Sequence, residues 1–210
     1  MVRNIGDFAY FLEMVSLSHG SVINISNISR DCGIHRKTVE SYIIILEDIL
    51  LAFKVPVFTK KASRDLTQHP KFYFFDCGVF QTLRPKGPLD NLGEILGHAL
   101  EGLVAQHLKA WIAYSEQRNK MYFWRNRYHH EVDFIIYGES GLFAIEVKSS
   151  TSIRSDDLKG IKSFLDEYPI SKALILYRGS EILVKEGIKI VPVELFLKKL
   201  RPDTFPVEFI

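Results

Sequence analysis

Between Glu131 and Lys148 apolar and polar residues alternate with a period of two, interrupted by the turn-forming run Gly138-Glu139-Ser140-Gly141. That pattern predicts a β-hairpin. Successive strand side chains point to opposite faces, so Val132, Phe134 and Ile136 share one face, while Glu131, Asp133, Ile135 and Tyr137 share the other. The return strand sets Phe143, Ile145 and Val147 against Leu142, Ala144, Glu146 and Lys148. One face is wholly apolar, and the other gathers three carboxylates and an ammonium at the end away from the turn. With Glu139-Ser140 as a two-residue tip, or Gly138 to Gly141 as a four-residue one, the register places Asp133 opposite Glu146 and Glu131 opposite Lys148.

Two facing carboxylates destabilise a strand pair by up to ~1 kcal/mol unless a cation sits between them or one takes a proton. A hard divalent ion, held by one or two carboxylates with its other positions left to water and phosphate oxygens, removes that repulsion. Lys148 would then orient or deprotonate an attacking water, or stabilise charge developing on phosphate. The competing reading is an exposed ladder in which Glu131 pairs with Lys148 and the other acids face solvent. On spacing alone the two readings stand level.

The remaining sequence bounds the class. A chain of 210 residues, 47% hydrophobic and 25% charged, has room for one large packed domain or two small ones. Its longest uncharged apolar run, Tyr42 to Leu46, falls far short of the ~20 residues that cross a bilayer. Asp7 and Glu13 interrupt the N-terminal segment where a signal peptide needs an apolar core, so the cytoplasm is the expected location and no membrane partner is expected. Cys32 and Cys77 are too few for a disulfide framework and lack zinc-finger spacing. A net charge of +2 is mild, but Gln117 to His130 holds Arg118, Lys120, Arg125, Arg127 and two histidines against no acid.

Periodicity predicts an N-terminal helix over Asn4 to Leu17, a short one over Asn24 to Cys32 closed by Gly33, and a third from Arg36 to about Leu51. Phe53 to Phe58 and Lys71 to Phe75 read as strands around a polar loop, Lys60 to Pro70, that would form a wing. Three helices with a glycine turn before the third match a helix-turn-helix, so residues 1–84 are expected to be a winged helix. His35, Arg36 and Lys37 then stand at the start of the recognition helix as candidate DNA contacts. Asp76-Cys77-Gly78 and Arg84 to Pro88 punctuate a boundary, and residues 85–210 form a second unit. There Asp90 is expected to cap a helix reaching Tyr114. Strands follow at Met121 to Trp124, Glu131 to Tyr137 and Leu142 to Ser149, then a helix at Asp156 to Tyr168 and a strand at Lys172 to Tyr177. A strand at Ile188 to Val191 and a helix at Val193 to Leu200 complete an α/β (α+β) chain with an αβββαβ core.

This order, with Glu101 in Gly97-His98-Ala99-Leu100-Glu101, Trp124-Arg125, Glu131-Val132-Asp133-Phe134 and Ile145-Glu146-Val147-Lys148-Ser149, resembles the restriction-endonuclease-like, or PD-(D/E)XK, nuclease superfamily. More closely it resembles the uncharacterised C-terminal region of bacterial and archaeal AAA-type ATPases, where a winged helix precedes such a fold; Lys71 to Gly78 resembles the joining segment. The resemblance implies Asp133 and Glu146 as ligands of Mg2+ or Mn2+, Glu101 as a helix acid assisting the metal, and Lys148 as the catalytic lysine. It departs at Val132, where the superfamily's Pro-Asp pair has proline. No G-x-x-x-x-G-K run followed by Ser or Thr is present, so this sequence is not itself the ATPase. It is expected to be a piece of a longer protein or a stand-alone relative.

The expected function is metal-dependent hydrolysis of phosphodiesters in DNA. The alternative is a non-catalytic DNA-binding or protein-binding module that regulates an ATPase. Arg125, His130 and Glu131 join His35, Arg36 and Lys37 as candidate substrate contacts, although an exposed loop histidine or surface arginine accounts for the same residues. Expected partners are nucleic acid, an AAA-type ATPase fused or separate, and a second copy of the chain as a homodimer.

Overall fold

The computed structural model of the protein describes residues 4–59 and 69–204. Among the described residues it is a mixed α/β chain with seven α-helices, a three-stranded sheet and a six-stranded mixed sheet. Two compact units form, Met1–Val55 with Gln68–Leu103 and Pro56–Thr67 with Val104–Ile210.

In the first unit, α1 (Ile5–Ser16) starts at Asn4, whose side chain accepts hydrogen bonds from the amides of Gly6 and Asp7. Asn24 caps α2 (Ile25–Cys32) in the same way, and Gly33 ends it in the left-handed region at φ 65°, where a residue without Cβ is at ease. α3 (Arg36–Asp48) follows and ends before Leu51, with Leu50 itself at φ 59°. β1 (Ser21–Val22), β2 (Ala52–Val55) and β3 (Lys71–Phe74) form an antiparallel sheet in the order β1-β3-β2. Phe11, Val15, Val39, Leu46, Phe72, Phe74 and Phe80 are buried together between helices and sheet. Most of the expected wing, residues 60–68, lies outside the described residues.

Two expectations need correction here. Asp76-Cys77-Gly78 does not merely punctuate the chain: it opens α4 (Cys77–Leu83), because the Asp76 carboxylate accepts from the amide of Val79 at 2.8 Å and Phe80 reaches the core. Asp90 does not cap α5 (Leu92–Tyr114). Asn91 does so, accepting from the amides of Gly93 and Glu94, while Asp90 receives the Gly87 amide and faces Arg84.

In the second unit the strands are β4 (Asn119–Arg125), β5 (Glu131–Gly138), β6 (Gly141–Lys148), β7 (Lys172–Tyr177), β8 (Leu183–Lys185) and β9 (Ile188–Pro192). Their order is β4-β5-β6-β7-β9-β8. β4, β5 and β6 are antiparallel, β6, β7 and β9 run parallel, and β8 returns antiparallel to β9. A 3-10 turn (Ser155–Leu158) and α6 (Lys159–Glu167) join β6 to β7, the crossover a parallel pair requires; α7 (Val193–Lys199) follows β9. Ile161 and Phe164 of α6 pack on Trp124, Ile135 and Ala144, while Phe134, Ile136, Phe143 and Ile145 are also fully or almost fully buried. Both faces of the hairpin are therefore covered, and Asp133 and Glu146 are not on an exposed ladder, whereas Glu131 is partly exposed. β8, short and largely exposed, had no counterpart in the sequence reading.

Candidate functional site

Near the turn the hairpin register matches the sequence expectation, but the expected Asp133–Glu146 and Glu131–Lys148 pairs are not in the ladder. A register shift against β4, between Tyr122↔Ile135 and Trp124↔Val132, buries Val132 with Ile135 and Ala144 instead of on the Phe134 and Ile136 face. Gly138 pairs with Gly141 across the two-residue tip, and the ladder continues through Ile136↔Phe143 to Phe134↔Ile145. Gly138 is required at the tip, since a Cβ there would run into the Arg118 carbonyl oxygen. At the open end the Asp133 side chain takes the place of a backbone acceptor: the Val147 amide donates to Asp133 Oδ2 at 2.9 Å. That bond fixes the Asp133 carboxylate beside the segment carrying Glu146 and Lys148. Asp133 is 9% exposed and Glu146 8%, an unusual burial for two acids so close in register.

Lys148 answers part of the resulting electrostatic demand. Its Nζ donates to Glu146 Oε1 at 2.8 Å. Burial acts to depress the pKa of the ammonium, but Glu146, through charge and hydrogen bond, with Asp133 and Asp157, outweighs burial and holds it above the ordinary lysine value. Asp157 is the neighbour that sequence reading did not single out. It lies in the turn before α6, where its carboxylate accepts from the Arg154 amide at 2.8 Å; the acidic residues at a helix start were its only signal. Gly160 brings α6 against this corner, for a Cβ there would collide with the Glu131 carbonyl oxygen.

Glu131 Oε2 lies 3.9 Å from Arg125 Nε, its register partner on β4. Arg125 Nη2 lies 2.7 Å from His129 Nδ1. His130 is half-buried and its amide donates to the Asn126 side chain. Asp133, Glu146, Lys148 and Asp157 thus form one electrostatic cluster, and Arg125, Glu131 and His130 form a separate group at the adjoining β4–β5 turn.

The other expected site residues lie in the first unit. The Glu101 carboxylate accepts from Tyr73 OH at 2.6 Å and from Lys71 Nζ at 3.1 Å, with the lysine side chain only 3% exposed. His35, Arg36 and Lys37 are exposed at the start of α3, where Arg36 Nε donates to Glu40 Oε1 at 2.9 Å. Among the described residues no three His, Cys, Asp or Glu side chains gather in a way that would hold a metal ion. Asp133 and Glu146 bring a pair of hard-oxygen carboxylates together in the second unit. The pair lacks the nitrogen and sulfur donors of a structural zinc site.

Two family models each match part of the chain. Residues 96–196 match the model of a domain of unknown function, DUF4143, which is found in AAA-ATPase-associated proteins. Residues 1–90 match a second domain of unknown function, DUF8612. No curated protein matches the chain. Among the described residues no helix is long and apolar enough to cross a membrane.

Proposed function

We propose that the second unit is a metal-dependent phosphodiesterase of the PD-(D/E)XK type acting on nucleic acid, DNA in the first instance, and that it serves as part of, or partner to, an AAA-type ATPase. The observation that carries this reading is the burial of Asp133 and Glu146 beside Lys148 at the open end of the β5–β6 hairpin. Asp133 and Glu146 are the ligands for Mg2+ or Mn2+. When bound, such an ion polarises a phosphoryl oxygen and lowers the pKa of coordinated water. Lys148, held as an ammonium, supports the negative charge that builds on the phosphoryl oxygens as water adds and the P–O bond breaks; its raised pKa suits a charge stabiliser better than a base. Asp157 holds the turn that faces the ammonium.

The αβββαβ order of the second unit supports the nuclease-like fold, and the α1–α3 arrangement followed by β2 and β3 supports a winged helix in the first. His35, Arg36 and Lys37 are its candidate DNA contacts. The reading predicts hydrolysis of a labelled oligonucleotide in Mg2+ or Mn2+ that stops with chelator and is lost in Asp133→Ala and Lys148→Ala; equal activity in all three proteins would overturn it.

One observation favours a second reading. Lys148 already neutralises Glu146, and the Val147 amide already engages Asp133, so the cluster is partly satisfied by protein groups alone. A non-catalytic DNA-binding or protein-binding module regulating an ATPase would keep such a network, and would bind its partner without cleaving any strand.

A further inference from the structure

The turn between β4 and β5 is built more rigidly than an exposed connection needs. The Asn126 side-chain oxygen accepts from the amides of Tyr128, at 2.9 Å, and His130, at 3.0 Å. Its backbone amide donates to the His130 carbonyl, and its own carbonyl accepts from the His129 amide. Its Nδ2 donates to Ser163 Oγ of α6, which anchors the turn to the body of the unit. His129 sits at φ 63°, a left-handed conformation uncommon outside glycine. Backbone strain persists only where the surroundings enforce it, and here Asn126 does so.

What the turn displays is chemically uniform. Arg125, Arg127, Tyr128 and His129 are exposed, and no acid occurs from Gln117 to His130. Because an arginine only donates, His129 Nδ1 is the acceptor of the Arg125 contact, and the neutral ring carries its proton on Nε2. The Arg127 guanidinium lies 4.8 Å from the Tyr128 ring centroid and donates to the Tyr128 hydroxyl at 2.7 Å. Backed on one face by a cation, the Tyr128 ring is 65% exposed. The result is an exposed aromatic ring on a pinned turn, with the Arg127 guanidinium against it and a second guanidinium, Arg125, at the start of the same turn.

We infer that this turn binds an unpaired nucleic-acid strand, with one base stacked on Tyr128 and adjacent phosphates on Arg125 and Arg127. A duplex hides the faces of its bases, whereas every unpaired base offers a π-face to a preset aromatic ring. The fixed backbone lowers the ordering cost of binding. Arg125 is the register partner of Glu131, two residues before Asp133, so a strand held here runs to the acid cluster. The inference rests on the phosphodiesterase reading for its choice of polyanion and adds the form of the substrate.

The test is fluorescence anisotropy with labelled oligothymidylate and with a fully paired hairpin of similar charge, in chelator so that no strand is cut. Native protein is expected to prefer the unpaired strand. Tyr128→Ala should weaken that binding about tenfold while Tyr128→Phe retains it. Arg127→Gln should lower the slope of log affinity against log salt by roughly 0.7, and Lys172→Gln, the same charge change at the exposed first residue of β7, should leave it unchanged. Equal binding by native protein, Tyr128→Ala and Arg127→Gln, equal affinity for the paired hairpin, or no binding would overturn the inference. Binding with these losses but without cleavage in Mg2+ supports it and refutes the hydrolase reading alone. Cleavage with Tyr128→Ala binding normally refutes the inference alone.

Discussion

His19 gives the first unit a pH dependence that can be worked from its surroundings. The residue is 1% exposed, its ring stacks on Phe80 at 4.0 Å, and its Nδ1 accepts from the Phe74 amide at 3.1 Å. Burial, helped by the neighbouring His98 charge and opposed by a backbone hydrogen bond, pushes its pKa down to about 3. The unfolded chain has the ordinary value near 6.5, so below that pH the unfolded state binds a proton that the folded state refuses. The stabilisation is therefore complete above pH 6.5 and is lost as pH falls toward 3. At pH 5 the loss is about 2 kcal/mol, a sizeable part of the 5–15 kcal/mol typical of a domain. With a urea m-value of about 2 kcal/mol per M, the midpoint moves down by about 1 M between pH 7.5 and 5. His19→Asn keeps an acceptor near Nδ1 and removes the titration. Urea unfolding, read from amide signals of the first unit, should show native protein losing about 2 kcal/mol more than the variant over that interval. Parallel pH profiles for the two proteins would refute the assignment.

Three further outcomes follow from the packing. Gly160→Ala drives a methyl into the Glu131 carbonyl and should cost about 1–3 kcal/mol in urea unfolding followed by Trp124 fluorescence, with loss of any cleavage activity. Asp76→Ala removes the cap of α4 and should cost about 1 kcal/mol, whereas Asp76→Asn should retain most of it; helical protection in hydrogen exchange distinguishes them. Lys71→Met removes the cation beside the Glu101 carboxylate, which keeps the Tyr73 hydroxyl, and should cost about 3 kcal/mol, and adding Glu101→Gln should recover much of that in thermal unfolding.

The hairpin was legible near its tip because a period of two and flanking glycines determine face and register there, but the register shift that moves Val132 to the Ile135 side has no local pattern. The first three helices were legible from their apolar periodicity, with asparagines at the starts of α1 and α2 and a glycine at the end of α2. α4 escaped because seven residues present too little periodicity to outweigh Cys77-Gly78, and β8 because three exposed residues carry no pattern. The contact of Lys71 with Glu101 joins residues thirty positions apart, which no local pattern encodes. In the same way, spacing placed Asp133 opposite Glu146 but could not show that its carboxylate takes the Val147 amide, nor that both acids are buried. Burial needs α6, and α6 reaches the hairpin only because Gly160 lacks a side chain.

Mn2+ binding, followed by loss of the free-ion electron paramagnetic resonance signal, interrogates the acid pair itself. Native protein should take up about one Mn2+ per chain, with Asp133→Asn and Glu146→Gln each weakening binding by at least about tenfold, the scale of one lost charge-assisted ligand. Unchanged binding in both variants, or no uptake by native protein in the presence of an oligonucleotide, would contradict a cation site at Asp133 and Glu146.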